Sequence, residues 1–471
     1  MAMVPLVTSE MDPAPAPTST PVAPPAAHEY SMPAVPAAMG PLCTLCATGL
    51  RLSFLEDLLT PSSCTHCLGV LPHAESLARA LAETVRDEVV AYDAPSFAVE
   101  IMLPRALAGR HTAYVERAGG YIAFEVRKEF AKRAVPVMEE VLGKRYSTEG
   151  PLRLLLAITH AETDAPIAAR AAEARRPAKR GRFEGRGKAD PPAASQPERL
   201  PFPPSTPTTL PIVGACTVRR DPIYLGGRYL KLERHISQTL WRIKGQRKTE
   251  LSVAECVSFG VADMTQCDAE IGFLSAGRED ADVRMLGTGR PFVLEVRNAR
   301  KVDGIDPVAL AERANKEFAG KVQVSRMCVV NKDEVKQVKE GEELKAKEYT
   351  CLVWAPGVDQ RKVDEINALP AFQIDQHTPL RVLHRRPNLM RPKTVHWIRM
   401  TPLNDGQGPL YRVTLETQAG AYIKEFIMGD TGRTRPSLSS LLGTHADILE
   451  LDVTKVALEW PPARTADAST A

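Results

Sequence analysis

Two α+β units joined by a proline-rich linker are the architecture the sequence predicts, on three observations. Strand-like and helical stretches are interspersed without a regular βαβ repeat, prolines crowd into two short segments, and four cysteines form two close pairs near the N-terminus. A chain of 471 residues also exceeds what one core usually supports. Its 60 Lys+Arg against 57 Asp+Glu leave a net charge of +3, so any basic surface must be local. No stretch approaches the ~18 apolar residues of a spanning helix, and the first residues lack a basic and then apolar export signal. Cys216, Cys256, Cys267, Cys328 and Cys351 are scattered, unlike a secreted disulfide framework. A soluble protein of a reducing compartment is expected.

Residues 1–40 hold nine of the 39 prolines and residues 162–211 hold ten. Both segments read as disordered, the second as a linker with a basic centre from Arg175 to Lys188, and 463–471 reads as a tail. Between them lies an expected unit, 41–161. Cys43-x2-Cys46 and Cys64-x2-Cys67, 17 residues apart, present four thiolates on two knuckles, the donor set and spacing of a zinc ribbon. Four sulfurs close the coordination shell, so this zinc is expected to be structural, with His66 solvated beside it. Leu77, Leu81, Val85 and Val89 recur every four residues and predict one buried helical face. Strand-like runs follow at 97–102 and 152–158, with a helical stretch from about Ala113 to Leu142 that Gly119-Gly120 can interrupt.

Beyond the linker, 212–462 is expected to be a second domain. Its β-rich runs at 291–296, 322–330, 349–354, 395–400 and 411–417 alternate with helical stretches, which favours a largely antiparallel sheet. Between apolar runs sits the polar, glycine-bounded segment 275–287. Glu279, Asp280 and Asp282 interleave there with Arg278 and Arg284, which composition alone reads as a solvated ion-pair loop. The run Arg381, His384, Arg385, Arg386, Arg391 and Lys393 is dense enough to track phosphates, or to be a merely solvated basic face.

The segment Gly277-Arg278-Glu279-Asp280 resembles the catalytic motif of pseudouridine synthases, in the Gly-Arg-Glu-Asp-x-Asp-Val-Arg form of the Pus-ten type found in archaea and eukaryotes. Other segments resemble that family in the same order: Asp221-Pro222 to Tyr229, Ser237-Gln238-Thr239-Leu-Trp241, and Lys345-Ala-Lys-Glu-Tyr349. Further along come Gln373 to Pro387, Gln418-Ala-Gly-Ala-Tyr422-Ile-Lys424-Glu-Phe426 and Gly429 to Pro436. The resemblance spans about 219–462 and reaches the second cysteine pair, which is similar to the family's zinc knuckle before a THUMP-related RNA-binding domain. Two departures are a shorter spacing between the cysteine pairs and Arg234-His-Ile-Ser ahead of Gln238.

The resemblance implies a tRNA pseudouridine synthase acting on T-arm uridines as a monomer in the nucleus and cytoplasm, with the mitochondrion left open and small-RNA precursors as further partners. It implies Asp280 as nucleophile or base, Lys424 as the cation paired with it, Tyr349 as a platform for the flipped base and Arg278 as the filler of the vacated stack. Arg381, His384, Arg385, Arg386, Arg391 and Lys393 would contact RNA. No organic cofactor is expected beside the zinc. Taken alone, Lys424 also reads as a strand-surface lysine, Tyr349 as strand core and Arg278 as a local ion-pair partner. Two other functions compete: a non-catalytic RNA-binding protein of the same fold acting in small-RNA processing, and a zinc-ribbon DNA-binding factor, which leaves the C-terminal half unexplained.

Overall fold

The computed structural model describes residues 40–50, 64–117, 124–174, 201–403 and 408–462. The tails expected at 1–40 (Gly40 excepted) and 463–471 lie outside these residues, as do the basic centre Arg175–Lys188 and Gly119-Gly120.

The N-terminal unit runs α1 (Thr44–Gly49), α2 (Ala74–Val90), β1 (Ser96–Met102), α3 (Ala106–Arg117), α4 (Val126–Leu142), β2 (Arg145–Tyr146), β3 (Leu152–Thr159), α5 (Ala161–Ala174) and β4 (Ile212–Arg220). Its sheet has the order β2-β1-β3-β4, parallel except for the antiparallel pair β3 and β4. The four-residue repeat of α2 does what its period demands: Leu77, Leu81, Val85 and Val89 are buried in one core with Phe130, Ala134 and Met138 of α4 and Phe97 of β1.

Two expectations for the linker change. Residues 161–174 are helical, and the Asp164 carboxylate fixes the turn by accepting from the backbone N–H of His160 at 3.0 Å and of Arg105 at 2.8 Å. Glu162 ties the far end of the linker back, accepting from the Thr208 N–H at 2.9 Å. The second difference is the boundary at 212: β4 pairs along β3 from Thr159↔Ile212 to Leu152↔Arg220, so these residues complete the N-terminal sheet.

The C-terminal unit contributes β5 (Ile223–Lys231), the hairpin β6 (Arg242–Ile243) and β7 (Gln246–Arg247), β8 (Gly272–Ser275), β9 (Arg284–Val296), β10 (Val322–Val330), β11 (Lys347–Trp354), β12 (Phe372–His377), β13 (Met390–Pro402), β14 (Leu410–Thr417), β15 (Thr434–Arg435) and β16 (Asp447–Val456). The main sheet runs β10-β5-β9-β16-β11-β14-β13-β12-β15, with β8 added on β9. All its pairings are antiparallel except β9 with β16. Gly287 allows that crossing, because a Cβ there would collide with the Thr454 carbonyl.

The units meet at Asp93 and Arg220. The Asp93 carboxylate pairs with Arg220 and accepts from the N–H of Val302 at 2.6 Å and of Asp303 at 2.8 Å. Tyr92 donates its hydroxyl to Asn298 at 2.6 Å alongside.

Candidate active site

The loop between β8 and β9 is built from beneath. Gly277 takes a φ of 93°, which only glycine adopts without strain, and lets the chain turn sharply before Arg278. Gln238, buried, donates its amide to Gly277 O at 2.9 Å and Ser275 Oγ at 2.7 Å. Arg290 on β9 donates Nη1 to Ala276 O at 2.8 Å and Nε to Glu279 at 2.9 Å, while the Tyr229 hydroxyl donates to the same carboxylate at 2.9 Å. Lys231 donates to the backbone oxygens of Ile236, Asp280 and Ala281 at 2.9, 3.0 and 3.3 Å. Burial pulls the Lys231 pKa down and pushes that of Tyr229 well up.

On this base Asp280 faces a cavity of about 840 Å³, lined also by Arg278, Tyr349, Arg381, Tyr422 and Lys424. Arg381 Nη1 lies 3.1 Å and Lys424 Nζ 3.4 Å from the same oxygen, Asp280 Oδ2. Each cation is shared with a second carboxylate: Arg381 Nε with Glu425 at 2.7 Å, Lys424 with Asp282 at 2.7 Å. Charges thus alternate through Glu425, Arg381, Asp280, Lys424 and Asp282. Burial opposes ionisation of Asp282, but the Lys424 hydrogen bond and charge outweigh it and hold the carboxyl below the usual aspartate range. Burial likewise works against the Arg381 charge, and Glu425 more than offsets it.

Tyr349 sits mid-strand on β11, opposite Leu415 and Val453, and is both buried and part of the cavity wall. Burial pushes its hydroxyl pKa up to about 12, so it is neutral at physiological pH. Arg278 is exposed on the cavity rim and makes no ion pair among the described residues, unlike its reading as a local ion-pair partner.

The basic run divides. Arg381, an expected phosphate contact, is exposed but engaged by two carboxylates. Arg385, Arg386, Arg391 and Lys393 line the cavity, with Arg386 donating to the Tyr422 hydroxyl at 3.0 Å and Lys393 to Ala419 O at 2.7 Å. His384 is exposed and outside that lining. Sequence reasoning missed Glu425, Arg290, Lys231 and Tyr422 as parts of the site. Glu425 and Tyr422 stand inside a quoted motif, whereas Lys231 and Arg290 are strand residues that nothing in the sequence marks.

Far from the cavity in sequence, Cys43, Cys46, Cys64 and Cys67 bring four buried sulfurs within 4.8 Å of one another. Cys43 Sγ and Cys67 Sγ are 3.8 Å apart, as expected for the edge of a tetrahedron with metal–sulfur arms of about 2.3 Å. The residues therefore fit a four-sulfur metal ion. His66 is not solvated: it is fully buried, its Nδ1 3.1 Å from Cys46 Sγ and its Nε2 3.1 Å from His111 Nδ1. The knuckle turns the ring inward against Tyr114 and Phe124.

Residues 224–457 match the family model described as Pus10, C-terminal. The chain is 42% identical over 267 residues to the tRNA pseudouridine synthase Pus10 of Xenopus laevis, covering 56% of this chain and 51% of that relative. To the tRNA pseudouridine synthase Pus10 of Methanothrix thermoacetophila it is 37% identical over 255 residues, covering 52% and 55%. A solved Cbf5–Nop10–Gar1 complex aligns over 49% of this chain and 48% of that one, at 18% identity and a TM-score of 0.27. The chain spans about half the length of the curated relatives it matches. Over residues 224–457 the chain is thus similar to the C-terminal part of Pus10.

Proposed function

We propose that this protein is a tRNA pseudouridine synthase that isomerises uridine to pseudouridine in the T-arm loop. The observation that carries the reading is Asp280, open to the cavity and gripped by Arg381 and Lys424, within the region matched to the family. The reaction breaks the bond from ribose C1′ to uracil N1 and makes one to C5, with no net change of atoms. Whether Asp280 adds to the ring or deprotonates the sugar, it must start ionised, and the two cations favour that form. Both make their shortest approach to Oδ2.

A uridine leaving its stack loses a few kcal/mol that new contacts must offset. Tyr349 supplies a neutral aromatic surface for the base, Arg278 reaches from the rim toward the gap left in the RNA, and Arg385, Arg386, Arg391 and Lys393 hold phosphates. His384, outside the cavity lining, extends that contact. The N-terminal unit serves as a THUMP-like RNA-binding domain braced by one structural zinc on the four cysteines; metal analysis should find about one zinc per chain. The protein acts as a monomer in nucleus and cytoplasm. Pseudouridine mapping in unmodified tRNA transcripts, with and without the purified chain, tests the reading: new pseudouridine in the T-arm loop supports it, and none in any tRNA overturns it.

A further inference from the structure

A second cleft, of about 420 Å³, opens on the other side of the Asp280 loop. It shares Arg278, Glu279, Asp280 and Arg385 with the main cavity, and its far wall is the segment from Ser237 to Trp241. The two arginines therefore stand where the clefts meet. Within that wall Gln238 supports the Asp280 loop, whereas Trp241 makes no such contact among the described residues.

Every residue from Thr239 to Lys248 is exposed, and the stretch carries Arg242, Lys244, Arg247 and Lys248 with no acid among them. Trp241 retains 46% of its surface in solvent. An indole left so open contributes little to the core, yet its backbone is held firmly. Ser237 Oγ donates to Thr239 O at 2.8 Å and hydrogen-bonds Thr249 Oγ1 at 2.7 Å, and Lys248 N donates to Trp241 O at 2.9 Å. Gln238, in the same segment, is the buried amide that supports Ser275 and Gly277. The indole is thus preorganised on a base continuous with the catalytic loop.

We infer that this cleft is a subsite for the unpaired base next to the target uridine, stacked on Trp241 while Arg385 takes the phosphate between the two nucleotides. The inference rests on the synthase reading, since a nucleotide in the main cavity is what places its neighbour here. Any base has a face that can stack, whereas the cations at the junction and on β6 and β7 match the backbone. A stacked base typically accounts for about a tenfold change in affinity when its aromatic partner is removed.

The test uses the full chain, tRNA transcripts, and synthetic hairpins of the modified loop bearing an abasic residue 5′ or 3′ of the target uridine. Trp241→Ala should bind intact RNA about tenfold more weakly, and Trp241→Phe should recover most of that loss. An abasic residue on one side should weaken the wild type by a similar factor, and Trp241→Ala should bind that hairpin as well as the wild type does. Trp241→Ala binding intact RNA like an active wild type overturns the subsite alone, as does an undiminished Trp241→Ala effect on both abasic hairpins. A wild type that makes no pseudouridine overturns the synthase reading and the subsite together.

Discussion

Glu279 and Asp280 are adjacent carboxylates, each facing an arginine, and the fold treats them oppositely. The Glu279 side chain is 1% exposed, locked to an Arg290 that is also 1% exposed. The Asp280 side chain is 40% exposed, opens to the cavity and shares its cations with other acids. Sealing a charge and satisfying it with two donors, Arg290 Nε and the Tyr229 hydroxyl, makes it a fixed part of the scaffold. Leaving its neighbour in a solvated cleft, beside two cations, keeps that charge accessible. A single peptide bond separates the sealed carboxylate from the open one, because successive side chains of the loop point into the core and out of it.

If that division holds, the two positions fail in different ways. Asp280→Asn removes the reactive charge with little change of shape, so single-turnover pseudouridine formation should vanish while RNA affinity and thermal stability stay at wild-type levels. Activity at the wild-type rate would break the assignment. Glu279→Ala should instead strand Arg290 in the core and lower unfolding free energy by about 3–5 kcal/mol, read by denaturant titration. A smaller loss than for typical surface substitutions would show that the buried pair is not the anchor it resembles.

Between these extremes lies Glu425, whose Oε1 holds Arg381 and whose Oε2 is buried without a partner among the described residues. Glu425→Gln can keep an oxygen on Arg381 Nε but loses the charge that fixes it. The rate of the chemical step should fall about tenfold, with RNA affinity unchanged, because Arg381 would then grip Asp280 less firmly. An unchanged rate, or a loss of affinity instead, would place Glu425 outside this chain of charges.

The loop was legible because the motif is local: Gly277, Arg278, Glu279 and Asp280 are consecutive. The α2 face and most strands were legible from period and apolar runs. Strand β5 was not among the predicted runs; its Gly226 and Gly227 are there so that Trp460 and Phe292 can pack on the bare backbone. Arg381 was placed among the phosphate contacts because its sequence neighbours are basic, whereas its partners Asp280 and Glu425 lie 101 and 44 residues away. His66 was assigned to solvent since a knuckle between cysteines is usually a surface turn, and only the packing of α3 over it reveals its burial. Distance along the chain, and not weakness of signal, hid these partners.

The smallest expected effect belongs to Asp282, the exposed end of the charge chain. Its folded-state pKa is depressed: burial alone would raise it, and Lys424 reverses that. A depressed carboxyl stabilises the fold above its unfolded pKa of about 3.9, and loses that contribution as pH falls through the lower folded value. Its charge should therefore not change across the neutral range, and pH–rate profiles of wild type and Asp282→Asn should have the same shape between about pH 5 and 8. With the Asp282 side chain 54% exposed, solvent screens most of the attraction, so Asp282→Asn should be only mildly less stable at neutral pH. That difference should close as pH falls through the depressed folded-state value, where the Asp282 carboxyl becomes neutral. In catalysis the variant should be slower yet measurably active, since Lys424 keeps Asp280 as a partner. A complete loss of activity in Asp282→Asn alongside a live Asp280→Asn would exchange the two aspartates' roles.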